Sequence, residues 1–252
     1  MADAAMSSRL AAAGLDWIVP DWPVPAHVHA VSTTRKGVAG AEIDFSPRAA
    51  GIDAARSTLR SLLPADPRWL SQVHGRTIVS ADAGWARAPQ GDGAVARTAA
   101  RVCAVLTADC LPVLLADRDG SVVAAVHAGW RGLAAGVIEA AVDAMSVAPA
   151  SLLAWLGPAI GPRAFEVGAD VYAAFCDADP EATVCFVVRS PGKWYADLYA
   201  LTRRRLARAG VSAAYGGGRC TFSERKTFYS YRRGGADAAG RMATLVWREK
   251  AA

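Results

Sequence analysis

Two apolar runs, Val113–Ala116 and Val122–Val126, flank Asp117-Arg118-Asp119-Gly120. Strand-like segments on either side of a turn signal read as a hairpin. A reversal centred between Arg118 and Asp119 opposes Asp117 to Gly120, Ala116 to Ser121 and, further out, Cys110 to His127. Directly opposed residues of an antiparallel pair share a face, with Cβ atoms roughly 4.5–5.5 Å apart, so this register sets a thiol beside an imidazole at the open end of the hairpin. Pro112 gives up a ladder donor and biases Leu111 towards an extended conformation, which suits the mouth of a strand pair. Beyond His127, Ala128-Gly129-Trp130-Arg131-Gly132 leads into LAAGVIEAAVDAM, predicted to be helical from its Ala and Leu content and its lack of proline. The free N–H groups that begin such a helix favour an anion.

The rest of the composition narrows the class. At 252 residues, 53% hydrophobic and 20% charged, the chain has material for a sizeable core. The formal charge of +5 is carried by scattered arginine, with lysine only at Lys36, Lys193, Lys226 and Lys250. A nucleic-acid partner is not expected, because a backbone-binding stripe shows clustering. Five cysteines without CxxC spacing point to a reducing compartment. The N-terminus lacks a positive region before an apolar core, and no apolar run reaches the roughly 20 residues that span a bilayer. These features predict a cytoplasmic protein with no membrane partner.

Along the chain, residues 1–25 read as an irregular N-terminal stretch and Ala26–Thr34 as a strand that puts His27 and His29 on one face. An HxH pair can bind metal, but without a third ligand the simpler reading is two strand histidines. Arg35 follows at the strand end, a place where anion-binding groups often lie. Asp53–Leu63 reads as a helix stopped by Pro64. WLSQV and RTIVS are strand-like pieces joined through His74-Gly75, a break that can turn into a cleft, although taken alone His74 reads more simply as a satisfied polar residue than as a ligand. Gly91-Asp92-Gly93 is a turn and Arg101–Leu106 a strand. Downstream, Leu152–Leu156, Thr183–Val188, Val211–Tyr215 and Arg241–Trp247 read as strands, and Ala169–Phe175 and Ala196–Ala209 as helices. The run Arg203-Arg204-Arg205 reads as a solvated face and Glu166 as structural. In RCTFSERKTFYSYRRGG, the aromatics Phe222, Phe228, Tyr229 and Tyr231, interleaved with Arg225, Arg232 and Arg233, either stack a planar base and hold an anion or form an aromatic core strand with basic neighbours. Strands outnumber helices and connections are irregular, which predicts an α/β (α+β) fold of layered mixed β-sheets flanked by helices.

SQVHG around His74, TADC at Cys110, HAGWRG from His127, the GPAIGP loop from Gly157, and FYSYRR followed by GRMA resemble the YfiH family, whose members have been described both as multicopper polyphenol oxidases and as purine nucleoside phosphorylases. The resemblance runs from about the STTR motif to the C-terminus. It implies one YfiH-like domain over 1–252, and a zinc held by the histidine of QVHG, the cysteine of TADC and the histidine of HAGW, which here are His74, Cys110 and His127. It further implies phosphorolysis of adenosine, inosine and methylthioadenosine, adenosine deamination, and in some members editing of peptidoglycan precursors. Two departures stand out: Lys36-Gly37 replaces a double glycine, and Asp44-Phe45-Ser46 replaces an Asn-Leu-Gly element. They put substrate choice in question.

Two imidazoles and a thiolate with an open fourth position make a catalytic rather than a structural zinc arrangement. Asp109, beside Cys110, is then a candidate orienting group or general base, although adjacent strand residues face opposite ways unless the chain bends. Together with Cys110 and His127 it forms the expected catalytic set. Phosphate is expected on Arg35, Arg131, Arg232 and Arg233, beside a small-molecule purine nucleoside. Alternatives are a hydrolase of peptidoglycan precursors in which zinc, or Cys110 activated by His127, does the chemistry, a single-copper polyphenol oxidase, and a non-enzymatic binding protein. A multicopper oxidase is not expected, because the chain has 4 histidines and a three-copper cluster consumes many more.

Overall fold

A computed structural model of the chain describes residues 3–235 and 240–250. Segments that are apolar at nearly every position must be covered on both faces, and three of them form the centre of the molecule. Among the described residues, a six-stranded sheet runs in the order β12 (Ala213–Gly216), β8 (Leu152–Leu156), β6 (Leu111–Asp117), β7 (Val123–Ala128), β4 (Gly93–Ala96), β3 (Ile78–Ser80). A four-stranded sheet has the order β1 (Val28–Ser32), β13 (Met242–Arg248), β5 (Val102–Thr107), β2 (Pro67–Arg68). A smaller one has β10 (Phe186–Ser190), β11 (Lys193–Ala196) and β9 (Glu166–Val167). The pairs β12/β8, β3/β4 and β2/β5 are parallel and their neighbours antiparallel, so the two larger sheets are mixed.

The two larger sheets pack face to face. Val28, Cys103, Val105 and Val246 of one meet Leu114, Ala116, Val123 and Ala125 of the other. The opposite face of the six-stranded sheet, carrying Val113, Leu115 and Val126, is covered by α4 (Val137–Met145) and α6 (Leu198–Arg208), with α5 (Ala169–Cys176) in the same cluster. The opposite face of the four-stranded sheet, with Val31, Ala104 and Trp247, is covered by α1 (Ala4–Ala12) and α2 (Ile52–Arg60) through Met6, Leu10 and Leu59. The layers are thus helix, sheet, sheet, helix, as the strand-rich sequence predicts. Removing a central side chain such as Leu114, which is fully buried, would cost about 2–5 kcal/mol in lost transfer energy and cavity formation.

Several local expectations are corrected. Residues 1–25 are not wholly irregular: the Asp3 carboxylate caps α1 by accepting the Met6 N–H at 2.9 Å, and Met6 and Leu10 are buried. Trp69–Val73 is not a strand. Residues 180–185 form a 3-10 turn before β10 starts at Phe186. The helix after HAGWRG is two helices, α3 (Trp130–Ala134) and α4, parted by Gly136 at φ +92°, a conformation glycine adopts without steric cost. The aromatic segment 220–230 forms successive turns, not a strand, and ends in α7 (Tyr231–Gly234). Phe228 and Tyr229 are drawn into a small cluster with Ala108 and Met242, which curls the chain instead of extending it.

The hairpin is real, but its register differs. Leu111 opposes Ala128 and Pro112 opposes His127, because Arg118–Ser121 form the loop and Asp117 holds it shut by accepting from Val122 N–H and Ser121 Oγ. The shift is 2 residues. An even shift keeps every side chain on its face, so Cys110 and His127 still meet, diagonally.

Candidate metal centre

The ends of β5, β6 and β7 that carry Thr107, Leu111 and Ala128 bring the chemistry together. His127 sits near the end of β7 and is buried. Cys110 stands just before β6, at the close of a sharp bend in which Asp109 has φ +89°. His74 comes from the loop between β2 and β3 and is itself in the left-handed region at φ +60°, which costs a non-glycine residue of order 1–2 kcal/mol. Cys110 Sγ lies 3.8 Å from Nε2 of His74, and the donor atoms of His74, Cys110 and His127 all lie within 4.8 Å of one another. Two imidazoles and a thiolate at such separations fit one soft or borderline ion, whose bonds to N and S run about 2.0–2.3 Å.

Asp92 explains how the strained histidine is held. Its carboxylate is fully buried and accepts Nδ1 of His127 at 2.8 Å, the His74 N–H at 2.8 Å and the Gly75 N–H at 2.7 Å. Asp92 O also accepts the His127 N–H at 2.7 Å. One side chain therefore ties the loop bearing one ligand to the strand bearing another. Glycines allow the close approach: a Cβ on Gly129 would stand 2.9 Å from Cys110 Sγ and 3.0 Å from His74 Cδ2, and one on Gly132 would stand 2.6 Å from Gly75 O.

Thiol and imidazole each favour the other's charged form. Burial alone would push the Cys110 thiol up, but hydrogen bonding and charge from His127, and then His74, bring it down to about 6. Burial likewise opposes the charged form of His127, but Asp92 and then Cys110 raise it to about 9. For Asp92, burial is outweighed by the hydrogen bond from His127 and the amides of Gly75 and His74, so its carboxyl sits below the ordinary range. A histidine must be deprotonated to ligate, so metal binding at this centre would need His127 to give up a proton.

The three donors open into a cavity of about 630 Å³ whose wall includes Asp109, Trp130, Arg131, Phe165, Tyr231, Arg232 and Arg241. Of the expected phosphate arginines, Arg131 and Arg232 are in this wall, and one nitrogen of the Arg232 guanidinium, Nη2, donates to Glu166 O at 3.0 Å. Arg35 is not in the wall. It pairs with Glu42, donates to Arg225 O and lies over the Tyr229 ring, in a neighbouring cleft of about 1060 Å³ that shares Pro47 and Arg241 but carries none of the three donors. Arg233 is also turned away, donating to the carbonyls of Thr221, Phe222 and Phe228 at 2.6–2.7 Å. Asp109 lines the cavity, yet its carboxylate is engaged with Thr221 Oγ1 at 2.5 Å, Ser230 Oγ at 3.0 Å and Arg232 N–H at 2.6 Å. It holds the C-terminal segment in place.

His27 and His29 lie elsewhere: His27 contacts Gly120 O, and His29 pairs with Asp3 and stacks on Trp247. Among the described residues, His74, Cys110 and His127 are the only group of three or more such side chains arranged to hold a metal. Sequence reading missed Asp92 and Arg241. A lone acid between two glycines was the available signal for the first, and for the second a basic residue next to a glycine just before the last strand.

A family model described as "Multi-copper polyphenol oxidoreductase laccase" matches residues 32–249. The chain is 50% identical over 242 residues to a Pseudomonas aeruginosa protein named purine nucleoside phosphorylase, covering 92% of this chain and 98% of that one. It is 45% identical over 240 residues to the Escherichia coli K12 protein named purine nucleoside phosphorylase YfiH, covering 91% and 98%. A crystal structure of a Neisseria meningitidis protein, 44% identical, superposes with a TM-score of 0.88 over 93% of this chain and 100% of that one. That of YlmD from Geobacillus stearothermophilus, 29% identical, gives 0.81 over 89% and 93%.

Proposed function

We infer that this chain, which belongs to the YfiH family described as multi-copper polyphenol oxidoreductase laccase, is a zinc-dependent purine nucleoside phosphorylase acting on adenosine, inosine and methylthioadenosine. The observation that carries the reading is the His74–Cys110–His127 donor set opening into one cavity with Arg131, Arg232 and Arg241. The names of the relatives at 45–50% identity point the same way.

In phosphorolysis the bond between C1′ and the base nitrogen breaks, a phosphate oxygen bonds to C1′, and the base leaves with the electron pair and takes a proton. Phosphate must therefore be held against the sugar, and negative charge on the departing base must be offset. Arg131 and Arg232 supply guanidinium groups suited to a phosphate oxyanion, and Arg241 adds a third positive charge to the wall. Arg131 is exposed and stacked on Trp130 at 4.4 Å, so its donors are at hand for an anion. The apolar side chains Leu70, Leu106 and Ile160 lie in the same wall and suit the sugar and base better than water. Zinc bound by His74, Cys110 and His127 would supply Lewis-acid polarisation. Asp109 fixes the segment that carries Arg232. Adenosine deamination on the same centre is a side activity that needs no phosphate.

A multicopper oxidase does not fit. Of the 4 histidines, two are in this centre and two are tied into β1 and its neighbours, which leaves no donors for a three-copper cluster. A second reading is favoured by the lowered Cys110 thiol next to His127: a cysteine-dependent hydrolase of an amide or ester, as in a peptidoglycan precursor. Incubating zinc-loaded protein with adenosine and inosine, with and without phosphate, separates the readings. Phosphate-dependent release of adenine and hypoxanthine supports phosphorolysis. Inosine from adenosine without phosphate shows deamination, and no turnover of either nucleoside defeats the proposal.

A further inference from the structure

Tyr231 is half-exposed, at 50%, and among the described residues it is the only Phe, Trp or Tyr side chain so exposed. It lies in the wall of the cavity that holds the three metal donors. Two other aromatics share that wall, but each is already covered by a cation: Arg131 lies 4.4 Å from the centre of the Trp130 ring, and Arg232 lies 5.6 Å from that of Phe165. Phe228 and Tyr229, on the same segment, are buried. Among the described residues, the ring pairs and the arginine-over-ring contacts fall on other aromatics.

The backbone on both sides of Tyr231 is fixed by one carboxylate. Asp109 Oδ2 accepts Ser230 Oγ at 3.0 Å and the Arg232 N–H at 2.6 Å, and Ser230 Oγ in turn caps α7 by accepting the Arg233 N–H at 3.2 Å. The Arg233 guanidinium clamps the preceding turns through three carbonyls. Asp109 is the residue before Cys110, so the platform and the Cys110 side chain are tied to consecutive positions of the chain. An aromatic face fixed in advance stacks a planar ligand with little ordering cost.

We propose that Tyr231 is the stacking platform for the purine base, with Asp109 as its positioning residue, while the arginines over Trp130 and Phe165 are left to the phosphate. The inference rests on the nucleoside reading of this cavity and assigns the base its own place within it. Stacking of a base on an aromatic ring is sequence-tolerant but grows with the size of the π-face, so the same residue favours purine over pyrimidine nucleosides. It binds ground state and transition state alike, and its effect falls on KM and not on kcat.

The test compares wild type, Tyr231→Ala, Tyr231→Leu and Tyr231→Phe, each loaded with zinc and checked for metal content. Tyr231→Ala and Tyr231→Leu should raise KM for inosine about tenfold, with kcat and the KM for phosphate unchanged. Tyr231→Phe should stay within about twofold of wild type. Inhibition by free adenine should weaken by the same factor as KM rises, and inhibition by ribose 1-phosphate should not change, a selectivity that general damage to the fold would not produce. Equal inosine KM values in wild type and Tyr231→Ala, or parallel loss of adenine and ribose 1-phosphate inhibition, overturn the platform. If wild type shows no phosphate-dependent turnover but binds adenosine in calorimetry, the phosphorylase reading fails alone, and a tenfold weaker adenosine Kd for Tyr231→Ala still upholds the platform, while an unchanged one overturns it. Absence of both turnover and binding overturns both.

Discussion

Nδ1 of His127 lies 2.8 Å from Oδ1 of Asp92, and that carboxylate also accepts the backbone N–H groups of His74 and Gly75. With its Nδ1 occupied in this way, the imidazole presents Nε2 to an ion, which is how carboxylates orient histidine ligands in metal centres. The same oxygen atoms hold His74 at its positive φ. Asp92 thus sets two of the three donors without being one of them.

Asp92→Asn should weaken metal affinity about 10–100-fold, and Asp92→Ala should in addition lower the stability of the metal-free protein by about 1–3 kcal/mol, because buried N–H groups lose their acceptor. Competitive zinc titration against a chromogenic chelator measures the first effect and urea denaturation the second. Wild-type affinity in Asp92→Asn would show that the ligands are placed by the fold alone.

Thiol reactivity should follow the ion pair. In metal-free protein the Cys110 thiolate forms as pH rises through about 6, so its alkylation by iodoacetamide should be near its plateau at neutral pH and fall about tenfold per unit well below that value. Zinc should protect it. A rate that keeps climbing log-linearly towards pH 9, as for an ordinary thiol, would contradict the pairing with His127.

Gly129→Ala should cost metal binding while the protein stays folded, since its Cβ would press on Cys110 Sγ and His74 Cδ2. Gly51→Ala is the control, because a Cβ there meets nothing within 4 Å. Metal content and the circular dichroism spectrum decide. Full zinc occupancy in Gly129→Ala would mean that the loop bearing His74 yields freely.

The arginines should separate by role. Arg131→Gln should raise KM for phosphate about tenfold or more, the scale of a lost charge-assisted contact, with stability unchanged. Arg233→Gln should instead lower stability by about 1–3 kcal/mol through its abandoned carbonyls. Phosphate saturation curves and thermal denaturation distinguish them. The reverse pattern would place the phosphate on the other side of the segment.

The layered fold was legible because the buried strands are near-continuous apolar runs and the turns between them carry Gly, Asp and Pro. The hairpin register was not: Asp117 looked like part of the reversal, but its side chain bonds to Ser121 and Val122 and so belongs to the strand, a tertiary detail invisible in the order of letters. Cys110 and His127 could be paired from residue type and spacing and His74 added through the family resemblance, whereas the part played by Asp92 depends on the parallel bridge that lays Ser71 beside Gln90. The four expected arginines split between the cavity and structural ties for the same reason. Even the run Arg203-Arg204-Arg205, read as a solvated face, bonds to Ala214 O, Asp179 and Glu139, because arginine donors seek acceptors wherever elements meet.

The most direct test of the account is reconstitution. Protein stripped by chelator should lose phosphate-dependent release of hypoxanthine from inosine and regain it on loading one zinc per chain, while Cys110→Ala binds less than a tenth of an equivalent and stays inactive. Activity that survives chelation, or a Cys110→Ala protein with a full complement of zinc and undiminished turnover, would contradict the assignment of His74, Cys110 and His127 as the catalytic metal centre.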